Sequence, residues 1–116
     1  MESDEQIAFV QWLRMRRIDG ERIRFCHVPN EGKFPVQYRV KLKKMGLEKG
    51  VSDILIFTPP PKKPSIRIVA IEMKFGKNTL TDSQLDFLNY IDRNGGLSAT
   101  AYSADEAVML CQRLGY

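Results

Sequence analysis

The sequence has little of what zinc sites, disulfide scaffolds and membrane spans are built from. Its 116 residues include one histidine, His27, and two cysteines, Cys26 and Cys111, without a C-x-x-C spacing. This usage argues against a histidine-rich zinc site and predicts two reduced, buried thiols. No apolar run approaches the ~20 residues that a membrane-spanning helix needs, and the first residues lack the layout of a signal peptide. We therefore expect a cytoplasmic protein that binds no membrane.

Length and composition predict one globular domain over residues 1–116. The chain is 43% hydrophobic and 28% charged, which suffices for a core at this length. Its net charge of +4 is uneven, because residues 14–49 carry eleven Lys/Arg against four Asp/Glu (+7), and the rest carry seven against ten (−3). This basic segment, residues 14–49, is suited to a polyanion. Ordinary solvated surface charge is the alternative.

Two apolar runs, residues 51–57 and 66–75, predict adjacent antiparallel strands, because a polar, proline-rich stretch joins them. Asp53 lies on the first run, and Glu72 and Lys74 lie on the second. Side chains alternate along a strand, so Glu72 and Lys74 share a face. Both faces of the second run also carry apolar residues, which is typical of a central strand covered on both sides.

Carboxylates on a covered strand need a partner, because they are almost never fully buried unless they are paired or bind a metal. Mg²⁺ or Mn²⁺ is the natural choice, since such hard cations take oxygen ligands and leave positions for water and a substrate phosphate. Lys74 would then orient the attacking water or stabilise charge on a phosphoryl oxygen. The alternative is a buried ion pair, which E-x-K alone favours. Asp53 on the neighbouring strand and the basic chain favour the cation.

Apolar residues spaced at 100° per residue predict an N-terminal helix that ends near Asp19-Gly20. Its inward stripe consists of Glu2, Gln6, Phe9, Val10 and Leu13. Glu2 is therefore a candidate site residue. Glu5, nearer the edge of the stripe, competes with it, and an acid favoured by the helix dipole is the structural alternative.

A capping box marks the start of a later helix. Thr81 and Gln84 have the required spacing, and Leu80 with Leu85 forms the hydrophobic staple. Gln84 thus has a structural explanation beside a catalytic one. The helix is predicted to bury Leu85, Leu88 and Ile91. The other predicted elements are a strand at 21–28, a basic helix at 35–45, a strand at 97–102 and a helix opened by a second capping box, Ser103 with Glu106.

Several polar residues of the basic segment are candidates for contact with a phosphate backbone. A hydrogen-bonded structural role for His27 and a turn-forming role for Asn30 explain these residues at least as well. Likewise, a basic helix of this size is often only a solvated surface. The candidates for DNA binding are Asn30, Arg39, Lys41, Lys43, Lys44 and Lys49.

The predicted order αβαββαβα, with Asp and E-x-K on the strand pair, resembles the PD-(D/E)XK, restriction-endonuclease-like nucleases. That likeness implies an α/β fold with a central mixed four-stranded sheet flanked by helices. Within this group the chain is most similar to the small stand-alone phage type of the VRR-NUC family. Ser52 departs from the family pattern, which has proline there. The matching pieces are His27-Val28-Pro29-Asn30, Lys44-Met45-Gly46, Gly50-Val51-Ser52-Asp53, Ile71-Glu72-Met73-Lys74, and Leu80-Thr81-Asp82-Ser83-Gln84 with Gly95-Gly96.

The resemblance implies a Mg²⁺- or Mn²⁺-dependent DNA endonuclease. Asp53, Glu72 and the main-chain carbonyl of Met73 would bind the metal, Lys74 would assist the water, and Gln84 and Glu2 would complete the site. It further implies branched DNA, such as four-way (Holliday) junctions, as substrate, and a homodimer acting in a host cytoplasm. A nuclease for plain duplex DNA and a non-catalytic DNA-binding module remain the alternatives.

Overall fold

The computed structural model describes residues 2–29 and 34–116, with the side chain of Glu2 left out. Its main sheet has the order β3-β4-β5-β6, antiparallel except for the parallel pair β5 and β6. This confirms the predicted mixed four-stranded sheet with flanking helices. No helix in the described ranges is long and apolar enough to cross a membrane. The elements are α1 (Glu2–Met15), β1 (Arg17–Ile18), β2 (Glu21–Arg22), β3 (Phe25–His27), α2 (Val36–Lys44), β4 (Ile54–Ile56), β5 (Val69–Met73), α3 (Asp82–Arg93), β6 (Leu97–Ala101) and α4 (Ala104–Arg113).

The region between α1 and β3 differs from the prediction. Helix α1 ends at Met15, and Asp19 and Gly20 form the turn of a small β1–β2 hairpin. Both turn residues have positive φ, 52° and 82°, as a two-residue type I′ turn requires. The strand predicted at 21–28 is therefore divided, because its first residues pair with β1 and only β3 enters the main sheet.

The two faces of the sheet bury different helices. On one face, Val69, Ile71 and Met73 of β5 pack in a core with Phe9 and Leu13 of α1 and with residues of α4. On the other face, Ala70 packs with Leu88 and Ile91 of α3. Every residue of β5 is buried, which confirms the predicted central strand and the predicted division of its faces.

Helix α3 starts as predicted. The hydroxyl of Thr81 accepts a hydrogen bond from the Gln84 main-chain N–H at 3.2 Å, and the two residues form a complete capping box. The prediction for Leu85 was wrong, because this side chain is 47% exposed. At 100° per residue, it is rotated away from the stripe that contains Gln84, Leu88 and Ile91.

The two cysteines have opposite environments, although both are free thiols. Cys111 is buried in α4, and burial raises the pKa of its thiol to about 12. Cys26 is exposed, which corrects the prediction of two buried thiols. It lies on β3, which is an edge strand of the main sheet.

Candidate active site

The register of the β4–β5 hairpin brings the two predicted carboxylates together. Ile54 pairs with Ile71, and one step further along the antiparallel pair sets Asp53 opposite Glu72. Residues directly opposite each other project from the same face. Asp53 Oδ2 also accepts a hydrogen bond of 2.8 Å from the main-chain N–H of Met73. The hairpin alone therefore holds the Asp53 carboxylate beside the last residues of β5.

Glu72 is a buried carboxylate with one unsatisfied oxygen. Its side chain is 3% exposed, and Oε1 accepts a hydrogen bond of 3.0 Å from Gln84 Nε2. Oε2 is enclosed without a hydrogen-bond partner in the part of the chain that the structure describes. Burial, followed by the negative charge of Asp53, raises the pKa of Glu72 from 4.5 to about 8, and Lys74 acts in the opposite direction. Leaving such an oxygen unpaired is costly.

Gln84 has the structural role that the sequence predicts and also contacts Glu72, whereas its catalytic role stays a prediction. Its Oε1 accepts a hydrogen bond of 2.9 Å from the main-chain N–H of Thr81, and its Nε2 donates to Glu72. The amide orientation follows from the chemistry, because the oxygen must face the N–H of Thr81 and the nitrogen must face the carboxylate. The cap of α3 thereby positions a donor on the carboxylate.

Lys74 follows β5 directly and is half-buried in the same pocket as both carboxylates. Its main-chain N–H donates to the carbonyl of Ala101 at 2.8 Å, which fixes the backbone. Within the described ranges, its ammonium makes no ion pair with Asp53 or Glu72. The positive charge of Lys74 nevertheless acts on the pKa of Glu72 and lowers it, so the ammonium lies near the carboxylates.

The main-chain carbonyl of Met73 also faces the carboxylates. Within one residue of a strand, N–H and C=O point to the same side. The N–H of Met73 points to Asp53, whereas that of Lys74 points to β6. The Met73 carbonyl consequently lies on the Asp53 side, where the β4 ladder has already ended.

Side chains of α1 and β3 lie beside the main chain of Asp53. His27 Nδ1 lies 2.9 Å from the main-chain oxygen of Asp53 and 3.0 Å from Gln6 Nε2. Because Nδ1 either donates or accepts, each tautomer makes one of these two hydrogen bonds. The N–H of Val28 donates to the same Asp53 oxygen at 2.9 Å. Sequence reasoning placed Gln6 on the inward stripe of α1 but did not give it a partner. Its contact with His27 depends on how β3 is aligned with β4, which no local pattern shows.

Two openings share Asp53, Glu72 and Gln84 as lining residues. One, which we call the α1 cavity, has a volume of about 750 Å³ and extends along α1. The other, the α2 cleft, has about 250 Å³ and includes Gly50 and Ser83. Gly50 has φ +86°, and a Cβ there would clash with the main-chain oxygen of Ser83. The chain therefore needs glycine here, because its backbone passes close to that of Ser83.

The donor set suits a hard divalent cation. The described ranges contain no group of three His, Cys, Asp or Glu side chains arranged to hold a metal. The carboxylates of Asp53 and Glu72 lie beside each other, and the Met73 carbonyl lies on the Asp53 side of β5. Mg²⁺ is usually bound by one or two carboxylates plus waters and substrate phosphates. The unpartnered Glu72 Oε2 fits such an ion.

Sequence comparison then identifies the family. The model of the VRR-NUC domain matches residues 2–105. The chain belongs to the VRR-NUC domain family. A solved structure described as "VRR_NUC domain protein" covers 98% of this chain and 87% of its own, with a TM-score of 0.80 and 20% sequence identity. Comparison with curated protein sequences gave no match. The predicted family and its restriction-endonuclease-like fold are thereby confirmed, and the family is one of nuclease domains.

The DNA-binding candidates of this VRR-NUC domain occupy two different places. Arg39 and Lys49 line the α2 cleft beside the carboxylates. The Nε of Arg39 is enclosed without a hydrogen-bond partner in the described chain, so this guanidinium is also incompletely satisfied. The remaining candidates are on the exposed surface of α2: Lys41, Lys43 and Lys44.

Two candidates lie outside what the structure describes. Asn30 falls between the described ranges, and Glu2 begins α1 but its side chain is not described. Glu5, the alternative to Glu2 as a site residue, makes its hydrogen bond at another helix. Its Oε2 accepts a hydrogen bond of 3.1 Å from the main-chain N–H of Ala104, at the start of α4. This carboxylate therefore stabilises a helix terminus.

Proposed function

We propose that this VRR-NUC domain hydrolyses DNA phosphodiester bonds with Mg²⁺ or Mn²⁺ bound by Asp53, Glu72 and the main-chain carbonyl of Met73. The observation that carries the proposal is the buried, unpartnered Glu72 Oε2 beside a second carboxylate. Two adjacent carboxylates repel each other, and burial disfavours their charge. A divalent cation relieves both penalties at once.

The protein's own groups have separable roles in this proposal. A cation held there would supply charge neutralisation for the scissile phosphate and a water of lowered pKa. Lys74 places an ammonium in the same pocket, where it orients the attacking water or stabilises a phosphoryl oxygen. Gln84 fixes the Glu72 carboxylate, and His27 and Val28 fix the backbone of Asp53. Fixed groups of this kind do not need to reorganise during the reaction.

We retain branched DNA, including four-way junctions, as the proposed substrate, and a homodimer as the proposed assembly. Cutting two strands symmetrically needs two related sites, which a twofold dimer provides. Two further statements stay predictions: that residues 1–116 form one domain, and that the protein is of phage origin. A non-catalytic DNA-binding module is the alternative, and the completeness of the motif argues against it, because Asp53, Glu72 and Lys74 are all present.

A cleavage panel tests the proposal. Single-stranded, duplex, flap and four-way-junction DNA are incubated with the purified protein in Mg²⁺, Mn²⁺ or EDTA. We expect cutting that requires a divalent cation and is fastest on the branched substrates. Equal rates on duplex would favour the plain-duplex alternative. No cutting of any DNA, or cutting that persists in EDTA, would reject the mechanism.

The exposed lysines of α2 are expected to contact the DNA backbone. Replacing Lys43 and Lys44 with Ala should weaken DNA binding and flatten the slope of log affinity against log salt by about 2, because each phosphate contact contributes roughly 0.9. The matched control is the double replacement of Lys62 and Lys63, which removes the same charge at the opposite end of the β4–β5 hairpin. A slope that is the same in all three proteins would exclude α2 from the interface.

A further inference from the structure

The α1 cavity is larger than a cation and one phosphate require. Its volume is about 750 Å³, whereas a water molecule occupies ~30 Å³ of liquid. Cavities of about 300–1,000 Å³ are typical of sites that enclose a small organic molecule. A space of this size beside the carboxylates is suited to more of the substrate than its reacting phosphate.

The wall of this cavity combines large apolar side chains and amides with two cations, Arg14 and Lys74. Its apolar side chains include Ile7, Val10, Phe34 and Phe75, and its amides include Gln11 and Asn78. Ile7 is 53% exposed, so a large apolar side chain faces open space next to two carboxylates. Apolar surface placed this way commonly marks a binding site.

The α2 cleft also has two cations but, among its described lining residues, no aromatic ring. Arg39 and Lys49 line it, and the enclosed Nε of Arg39 has no partner in the described chain. Phosphates are bound by such cations, whereas nucleobases are bound by stacking and by amide hydrogen bonds. Both openings can therefore accept phosphate, but among the described residues only the α1 cavity offers rings on which a base can stack.

We propose that the α1 cavity binds an unpaired nucleobase of the substrate strand next to the scissile phosphate. This inference rests on the proposed function, because the carboxylates of the cavity are the groups assigned to that phosphate. Phe34 supplies the stacking ring, which packs edge-on against Tyr38 with ring centroids 5.4 Å apart and an interplanar angle of 61°. Gln11 and Asn78 supply donors and acceptors for the edge of the base.

An unpaired base is the occupant that this geometry selects. A base inside a duplex must be unstacked and unpaired before it can enter a pocket, which costs a few kcal/mol, whereas a base at a branch or in a single strand needs no unpairing. The cavity thus gives a physical reason for a preference for branched or single-stranded DNA. This preference does not depend on the base sequence of the DNA, because every base presents a face for stacking.

The test compares two ligands that carry the same backbone charge, an oligothymidylate and an abasic oligomer of equal length. Affinities are measured by fluorescence anisotropy in EDTA, where cutting cannot interfere. We expect the wild-type protein to bind the oligothymidylate about tenfold more tightly, which is the usual size of one base-stacking contact. Phe34→Ala should lose most of this preference and leave the affinity for the abasic oligomer unchanged. Tyr90→Ala, which removes an exposed ring of α3 outside the cavity, should retain the preference.

Salt separates the two contributions. Both affinities should fall together as salt rises, with their ratio unchanged, because the phosphate contacts are common to both ligands. Equal affinity of the wild-type protein for the two oligomers would overturn the base site. An equal loss of affinity for both oligomers in Phe34→Ala would overturn it as well. If the protein cuts no DNA but prefers the oligothymidylate, the proposed function fails and the base site stands. If it cuts DNA but binds both oligomers equally, only the base site fails.

Discussion

Glu72→Gln and Lys74→Ala should each lower the rate of DNA cleavage by on the order of 10²–10⁴, which is the effect of removing a positioned catalytic group. Glu72→Gln keeps the size of the side chain but removes the charge that would bind the cation. Lys74→Ala removes an ammonium that has no ion-pair partner within the described ranges, so little of the fold depends on it. We therefore expect both substitutions to lower the cleavage rate and to leave DNA affinity unchanged.

Single-turnover cleavage and DNA binding, measured on the same preparations, separate these effects. Lys77→Ala is the matched control for Lys74→Ala, because it removes an equal charge from an exposed position three residues further along. It should cut at the wild-type rate. Cutting by Glu72→Gln or Lys74→Ala at the rate of the control would remove the proposed mechanism.

The second large effect concerns the stability of the cation-free protein. The pKa of Glu72 is raised to about 8 from 4.5, so the folded state holds a proton that the unfolded state releases. The stability that this proton provides is fully present below pH 4.5 and is lost as the pH rises through about 8. The side chain introduced by Glu72→Gln cannot ionise. The melting temperature of this variant should therefore fall less than that of the wild type as the pH rises from 4.5 to about 8.

A bound cation should reverse this loss, because it interacts with the ionised carboxylates. At a concentration of about 100 times its Kd, an ion adds ~2.7 kcal/mol to the free energy of unfolding, which corresponds to a rise of ~10 °C in melting temperature for a small domain. The rise should increase with pH, since ligands must be deprotonated to bind a metal.

Thermal melts with and without Mn²⁺ at several pH values measure both effects. Glu72→Gln should show little Mn²⁺-dependent rise. Asp86→Asn, which removes an exposed carboxylate of α3 outside both openings, should respond like the wild type. An equal Mn²⁺ response in Glu72→Gln would show that the stabilising ion binds elsewhere.

The part of the site that could be predicted is the part that local patterns determine. Alternation along β5 separates Glu72 from Ile71 and Met73, and the polar, proline-rich connection to β4 favours an antiparallel partner that carries Asp53. The capping-box spacing of Thr81 and Gln84 likewise indicates the start of α3. These features depend on neighbours in sequence, so the sequence is sufficient for them.

Local patterns do not predict the structure where contacts between residues distant in sequence determine it. Asp19-Gly20 signals a turn, but whether that turn ends a helix or closes a hairpin depends on the pairing of β1 with β2. Similarly, Glu5 meets the start of α4 almost a full chain length away, with Oε2 3.1 Å from the N–H of Ala104. Such contacts follow from how helices pack on the sheet, and no spacing within α1 indicates them.

Gln84 makes two contacts, of which the capping-box spacing predicts one. The same amide accepts a hydrogen bond from the main chain of Thr81 and donates one to Glu72. The residue that starts α3 is therefore also the one that positions the buried carboxylate. Sequence spacing supports the first role, and only the packing of α3 against β5 reveals the second.

Anomalous diffraction from crystals soaked in Mn²⁺ would locate the cation on the protein. We predict a manganese peak within bonding distance of the Asp53 carboxylate, Glu72 Oε2 and the carbonyl oxygen of Met73. The account would be contradicted if this pocket stayed empty at a Mn²⁺ concentration that supports DNA cleavage, or if the ion bound without contact to Glu72.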